Sequence, residues 1–114
     1  MYLGTDAAAW EAKFFQNRPE ALGLWRELAT TMGLPVAATK SRVCLVARTR
    51  FLWCPVAHVK GSIIVRFISP MPISSERLRR DVMPDGRISH RVTLTELDEE
   101  AMAWFRAAAA FDQG

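Results

Sequence analysis

The sequence predicts an α+β domain of order ααββββα, in which a four-stranded, mostly antiparallel sheet buries one face under two N-terminal helices and one C-terminal helix. Two observations carry this. The stretch from Thr39 to Ser69 gathers β-branched and aromatic residues into three runs that alternate with a period of two. On either side of it the apolar residues recur at three and four, the spacing of a helix face. A length of 114 residues, 50% hydrophobic and 24% charged, suits one packed core and is too short for two, so residues 1–114 form one domain.

The first helix is expected over residues 6–16, capped by Thr5 or Asp6, with Trp10, Phe14 and Phe15 on one face and Glu11 and Lys13 on the polar side. Pro19 suits the first position of a second helix that runs to Met32 and ends at Gly33, with Leu22, Trp25, Leu28, Ala29 and Met32 as its stripe. Leu34-Pro35-Val36 leads into the sheet. In the first strand Val43, Leu45 and Ala47 point inward, and Arg42, Cys44, Val46 and Arg48 outward. Phe51 to Val56, apolar on both faces around Trp53, reads as a central second strand in which Pro55 forces a bulge or an early end. After a turn at Lys60-Gly61, the third strand sends Ile63, Val65 and Phe67 inward and Ser62, Ile64, Arg66 and Ile68 outward.

The connection from Pro70 to Arg87 is rich in proline and serine and is expected to hold one short helix around Glu76 to Asp81. Ile88 to Leu94 is the fourth strand, with Ile88, His90, Val92 and Leu94 on one side and Ser89, Arg91 and Thr93 on the other. Thr95 and Asp98 resemble a capping box before the last helix, whose stripe is Ala101, Trp104, Phe105, Ala108 and Phe111.

The net charge of +3 conceals an asymmetry. Between Lys40 and Arg91 eleven lysines and arginines stand against three acids, while both flanks are net acidic. The positive field belongs to the sheet. If the four strands share one sheet, Arg42, Arg48, Arg66 and Arg91 project from its outward face, joined at the edges by Lys40, Arg50 and Lys60. Such a set is the footprint of a protein that meets phosphates, although arginines also keep an exposed face soluble. Arg77, Arg79 and Arg80 form a second basic knot in the connection, suited to an acidic ligand or one phosphate. Cys44, Val46, Ile64 and Ile68 make the same outward face more apolar than a solvated one. The connection after Ser69, a second copy of the chain or a planar ligand would each cover it.

Other chemistries find little footing. His58 and His90 lack HxH or HExxH company, two cysteines are too few for a zinc site, and no GxGxxG or Walker-type loop occurs, so neither a metal nor a cofactor is expected. With residues 48–50 as a hairpin turn, Cys44 and Cys54 fall opposite each other and a strained disulfide is open to them. Two buried free thiols are the plainer reading. The apolar runs are too short to span a bilayer and no secretory leader is evident, so the expectation is a cytoplasmic protein with no membrane partner.

Thr39-Lys40-Ser41, Arg48-x-Arg50-Phe51 and His90-Arg91-Val92-x-Leu94-Thr95, followed by the acid-capped helix with Trp104, together resemble a family of small bacterial and archaeal domains of unknown function. Its members stand alone, end longer chains labelled as predicted transport proteins, or lie beside nuclease-like modules. The resemblance runs from Pro19 to the C-terminus and implies a fold more than an activity. The preferred function is a non-enzymatic binding or accessory domain that engages a polyanion such as nucleic acid through Lys40, Arg42, Arg48, Arg50 and Arg66. A homo-oligomerisation module built on Val46, Ile64 and Ile68 is the rival, and a small enzyme with a Cys or His in a pocket under the long connection is a third reading.

Overall fold

The structure, a computed structural model, describes residues 2, 4 and 6–114. Its elements are α1 (Ala7–Phe14), α2 (Pro19–Met32), β1 (Val36–Ala38), β2 (Val43–Val46), β3 (Arg50–Ala57), β4 (Ile63–Ser69), β5 (Arg79–Val82), β6 (Ile88–Leu94) and α3 (Glu99–Gln113). The class is α+β as expected, with two helices before the sheet and one after it. The sheet itself is larger: six strands rather than four, in the order β1-β2-β3-β4-β6-β5, every neighbouring pair antiparallel.

Both additional strands are short and lie at the edges. β5 occupies the stretch where a short helix was expected, because a hairpin captures it. Gly86 N–H donates to the Met83 carbonyl at 2.9 Å, Met83 N–H donates to the Arg87 carbonyl at 2.8 Å, and Gly86 takes a φ of +86° that side chains resist. Once that turn closes, Arg79–Val82 pairs with Ile88–Arg91, and ladder hydrogen bonds override a weak local helix preference.

The inward parity of the strands is as read from the sequence. Val43 and Leu45 of β2, Ile63, Val65 and Phe67 of β4, and Val92 and Leu94 of β6 join Trp25 and Leu28 of α2 and Phe105 of α3 in one buried cluster. Pro19 opens α2, and Gly33 closes it at φ +67° with its N–H bonded to the Ala29 and Thr30 carbonyls. Ala21 and Leu24 are buried beside Trp25 and Leu28, while Leu22, Ala29 and Met32 are only partly so. In α3 the buried arc is Ala101, Met102, Phe105, Ala108 and Ala109; Phe111 falls outside it and is exposed. Asp98 is itself the cap, accepting from Ala101 N–H at 2.8 Å, and Thr95 is an exposed residue beyond it.

The N-terminal helix departs most from expectation. Of the two proposed caps, Thr5 lies outside the described residues, and Asp6 stands at the cap position without a side-chain hydrogen bond. Phe15 is buried and stacks on Trp25, whereas Trp10 and Phe14 are half-exposed. Glu11, expected on the polar side, is 1% exposed. It sits four residues from both Ala7 and Phe15, which places it on the buried stripe.

Two bulges set the register that matters for the outward face. One lies between Leu45 and Val46 and a second between Trp53 and Val56, where Pro55 supplies the irregularity it was expected to cause. The first bulge shifts the β2–β3 pairing by one residue, so Val43 faces Cys54 and Cys44 faces Trp53. Cys44 and Cys54 therefore point to opposite sides of the sheet, and no disulfide joins them. Burial pushes the Cys54 thiol up to about 12 and raises that of Cys44. Neither thiol of the folded chain is expected to react with iodoacetamide at pH 8 while both react in urea; rapid single alkylation of the native protein, read by mass, would contradict this packing. Among the described residues no helix is long and apolar enough to cross a membrane.

Candidate functional site

The outward face of the sheet carries one continuous cross-strand row. Ala37 pairs with Cys44, Cys44 with Trp53, Trp53 with Arg66, Arg66 with Arg91, and Arg91 with Arg79. Three arginines thus sit directly opposite one another on β4, β6 and β5, spanning about 10 Å at the usual strand spacing. Like charges in register destabilise a sheet unless something neutralises them. Within the described residues the compensation is slight. Asp81 reaches Arg66 Nη2 at 3.5 Å, Ser89 Oγ accepts from the same nitrogen at 3.2 Å, and Arg66 Nε is buried with no hydrogen-bond partner.

Trp53 anchors the row. Its ring is 8% exposed, with the guanidinium carbons of Arg42 and Arg66 each 5.6 Å from its centroid. The indole holds two cations in place and is not itself a free surface. Beside it, Ala37, Cys44 and Ile68 form a small apolar cluster on which Met83 packs from the tip of the β5–β6 hairpin. The segment after Ser69 therefore covers part of this face, leaving Val46 and Ile64 half-buried.

The expected basic residues do not all converge. Arg42, Arg66 and Arg91 lie on the outward face, and Arg50, at the start of β3, borders the same cluster. Arg48 sits in the β2–β3 turn, where Asp112 of α3 accepts from the Arg48 and Thr49 N–H groups at 2.8 and 2.6 Å. Lys60 occupies the β3–β4 turn at the opposite end of β3 from Arg50, in a hollow shared with Glu20. Lys40 is exposed in the β1–β2 turn. The second basic knot is dispersed. Arg79 belongs to the row, Arg80 pairs with His90 across the ladder on the other parity, and Arg77 turns away to α3.

Arg77 is a structural clamp. It stacks over Trp104 at 5.2 Å and meets Asp98 at 2.7 Å and Glu100 at 2.7 Å. Hydrogen bonds from the Arg77 guanidinium and from the Ala101 N–H hold the Asp98 carboxyl down at about 2. Arg77 is thus committed to its carboxylates and offers little to an external anion.

His90 is fully buried, stacked on Phe67, with Nε2 accepting from Ile73 N–H at 3.0 Å. It pins the segment that crosses from β4 to β5. Burial, with a smaller push from Arg80, lowers its pKa below the ordinary 6.5. The folded state therefore resists a proton that the unfolded chain accepts, so this histidine's contribution is complete above 6.5 and is lost as pH falls through the depressed value. Thermal melts are expected to lose stability on going from pH 7 to 5, with a shallower slope in His90→Gln; equal slopes would exclude His90 as the cause.

Glu11, Tyr2 and Arg26 form a cluster that the sequence reading did not single out. Glu11 Oε2 accepts from Trp25 Nε1 at 3.0 Å, and Oε1 accepts from Tyr2 Oη at 2.6 Å and Arg26 Nε at 3.4 Å. The hydrogen bond to Glu11 raises the Tyr2 phenol. A hollow of about 390 Å³ opens beside them, bounded by Thr30, Gly33 and Val36. With both oxygens engaged, the carboxylate ties the N-terminal segment to α1 and α2. The signal was the four-residue spacing of Ala7, Glu11 and Phe15.

No family model, curated protein or solved structure matches the chain.

Proposed function

We propose that this is a non-enzymatic binding domain that engages the phosphate backbone of nucleic acid through the outward face of its sheet. The observation that carries the reading is the registered Arg66-Arg91-Arg79 row, extended through Trp53 to Arg42 and bordered by Arg50. An anion laid along it relieves the like-charge opposition.

The covered indole shapes the expected specificity. Because Trp53 offers no open ring for a base to stack on, the contacts go to phosphates and the affinity is nearly indifferent to sequence. For a single strand with three to four phosphate contacts, the dependence of log K on log salt is expected to have a slope of roughly −2 to −3, with Kd about 10⁻⁶–10⁻⁴ M at physiological salt.

Fluorescence polarisation with short single- and double-stranded DNA and RNA tests this, with light-scattering mass measured on the same sample. A chain that binds at low salt and releases steeply as salt rises agrees with the proposal. A salt-resistant dimer that binds none of them, and that Ile64→Glu dissociates, would overturn it in favour of a homo-oligomerisation module.

A further inference from the structure

At the Trp53 end of the arginine row the face deepens into a cavity of about 150 Å³. Its floor is apolar: the buried Cys44, Trp53 and Ile68, with Met83 on one side. Its charged lining comes from three separate elements, Arg42 preceding β2, Arg50 opening β3, and Arg87 of the hairpin turn. No acid lines it. Asp85 accepts from Arg87 Nε at 2.6 Å and from the Arg87 N–H at 3.0 Å.

Size and charge together narrow the occupant. The volume is below the roughly 300–1,000 Å³ of sites that enclose whole drug-sized ligands, so the cavity suits one small group, and its three guanidiniums favour a phosphoryl. Three guanidiniums less the one charge of Asp85 leave a net +2 around it. A phosphodiester carries one negative charge, whereas a phosphate monoester carries about −1.5 to −2 at neutral pH and three terminal oxygens. The Cys44 thiol, raised by burial, stays neutral and serves as floor.

We propose that this cavity holds the terminal phosphate monoester of a nucleic-acid strand whose backbone runs along Arg66, Arg91 and Arg79. The inference rests on the backbone reading above and adds end recognition to it. Met83 packs on the apolar cluster from the hairpin tip and walls one side of the cavity.

The test compares one oligonucleotide sequence in three forms at fixed salt: hydroxyl-ended, 5′-phosphorylated and 3′-phosphorylated. A hydroxyl-ended strand two nucleotides longer controls for total charge. The expected result is at least about tenfold tighter binding of one end-phosphorylated form than of both hydroxyl-ended strands. That preference disappears in Arg50→Ala combined with Arg87→Ala, whose side chains are exposed, while hydroxyl-ended binding falls only modestly. Equal affinity for all four strands would overturn end recognition and leave backbone binding standing. A nucleoside monophosphate, titrated separately, reads the cavity without the row: saturable binding lost in the double variant, beside an end-phosphorylated strand that binds more tightly, supports the proposal, whereas monophosphate binding with no oligonucleotide bound overturns both the backbone reading and strand-end recognition.

Discussion

Glu11→Ala is expected to be the most damaging single substitution, lowering stability by about 3 kcal/mol and the melting temperature by roughly 10 °C. The reason lies in what the carboxylate leaves behind. Trp25 is fully buried, and its indole N–H has Glu11 Oε2 as its acceptor at 3.0 Å; truncation removes that acceptor. Tyr2 loses its partner at the same time, which frees the segment that bridges to Val36 at the edge of β1. Arg26 is half-exposed and returns to water at little cost. Glu11→Gln, which retains an acceptor for the indole, is expected to lose only about a third as much. Urea unfolding of both variants checks the order. A loss below about 0.5 kcal/mol in Glu11→Ala would mean that the buried carboxylate is not the tie described, since that is the range of ordinary surface substitutions.

Removing two arginines from the row is expected to have the largest effect on binding. Arg66→Ala with Arg91→Ala takes away adjacent contacts at the centre of the face and should weaken single-strand binding roughly 10–100-fold at low salt, with the salt slope shallower by about 1.4. Both side chains sit on the outward face, so the fold should tolerate the change, and relief of like-charge opposition partly offsets the loss of the Arg66 stacking on Trp53. Arg77→Ala is the contrasting case. It opens the clamp on Asp98 and Glu100, and so should lower stability while leaving affinity unchanged. Equal losses of affinity in the two variants would mean that charge alone, and not the row, governs the interaction.

The fold was legible where residue pattern and burial coincide. Alternation in β2, β4 and β6 gave the inward face correctly, and Pro19, Gly33 and Pro55 marked a helix start, a helix end and a bulge. β5 was hidden because Arg79-Arg80-Asp81-Val82 has no apolar alternation; an exposed edge strand buries nothing that would impose one. Asp85-Gly86 is legible as a turn in the connection, but a turn alone does not say that the residues before it pair as a strand. The charge of Glu11 suggests exposure, but its four-residue spacing from Ala7 and Phe15 puts it on the buried arc. The site was half legible. Parity predicted Arg42, Arg66 and Arg91 on one face, but which arginines meet depends on cross-strand register, and register depends on bulges and on a hairpin partner far along the chain.

The most direct test of the arginine row is an NMR titration that follows the arginine Nε–Hε signals as a short hydroxyl-ended oligothymidylate is added at low salt. Arg66, Arg91 and Arg79 should shift together and saturate together, while Arg26 beside α1 and Arg106 on α3, on the helix side, stay in place. Shifts confined to Arg26 or Arg106, or none at saturating strand, would contradict a phosphate-binding face on the sheet.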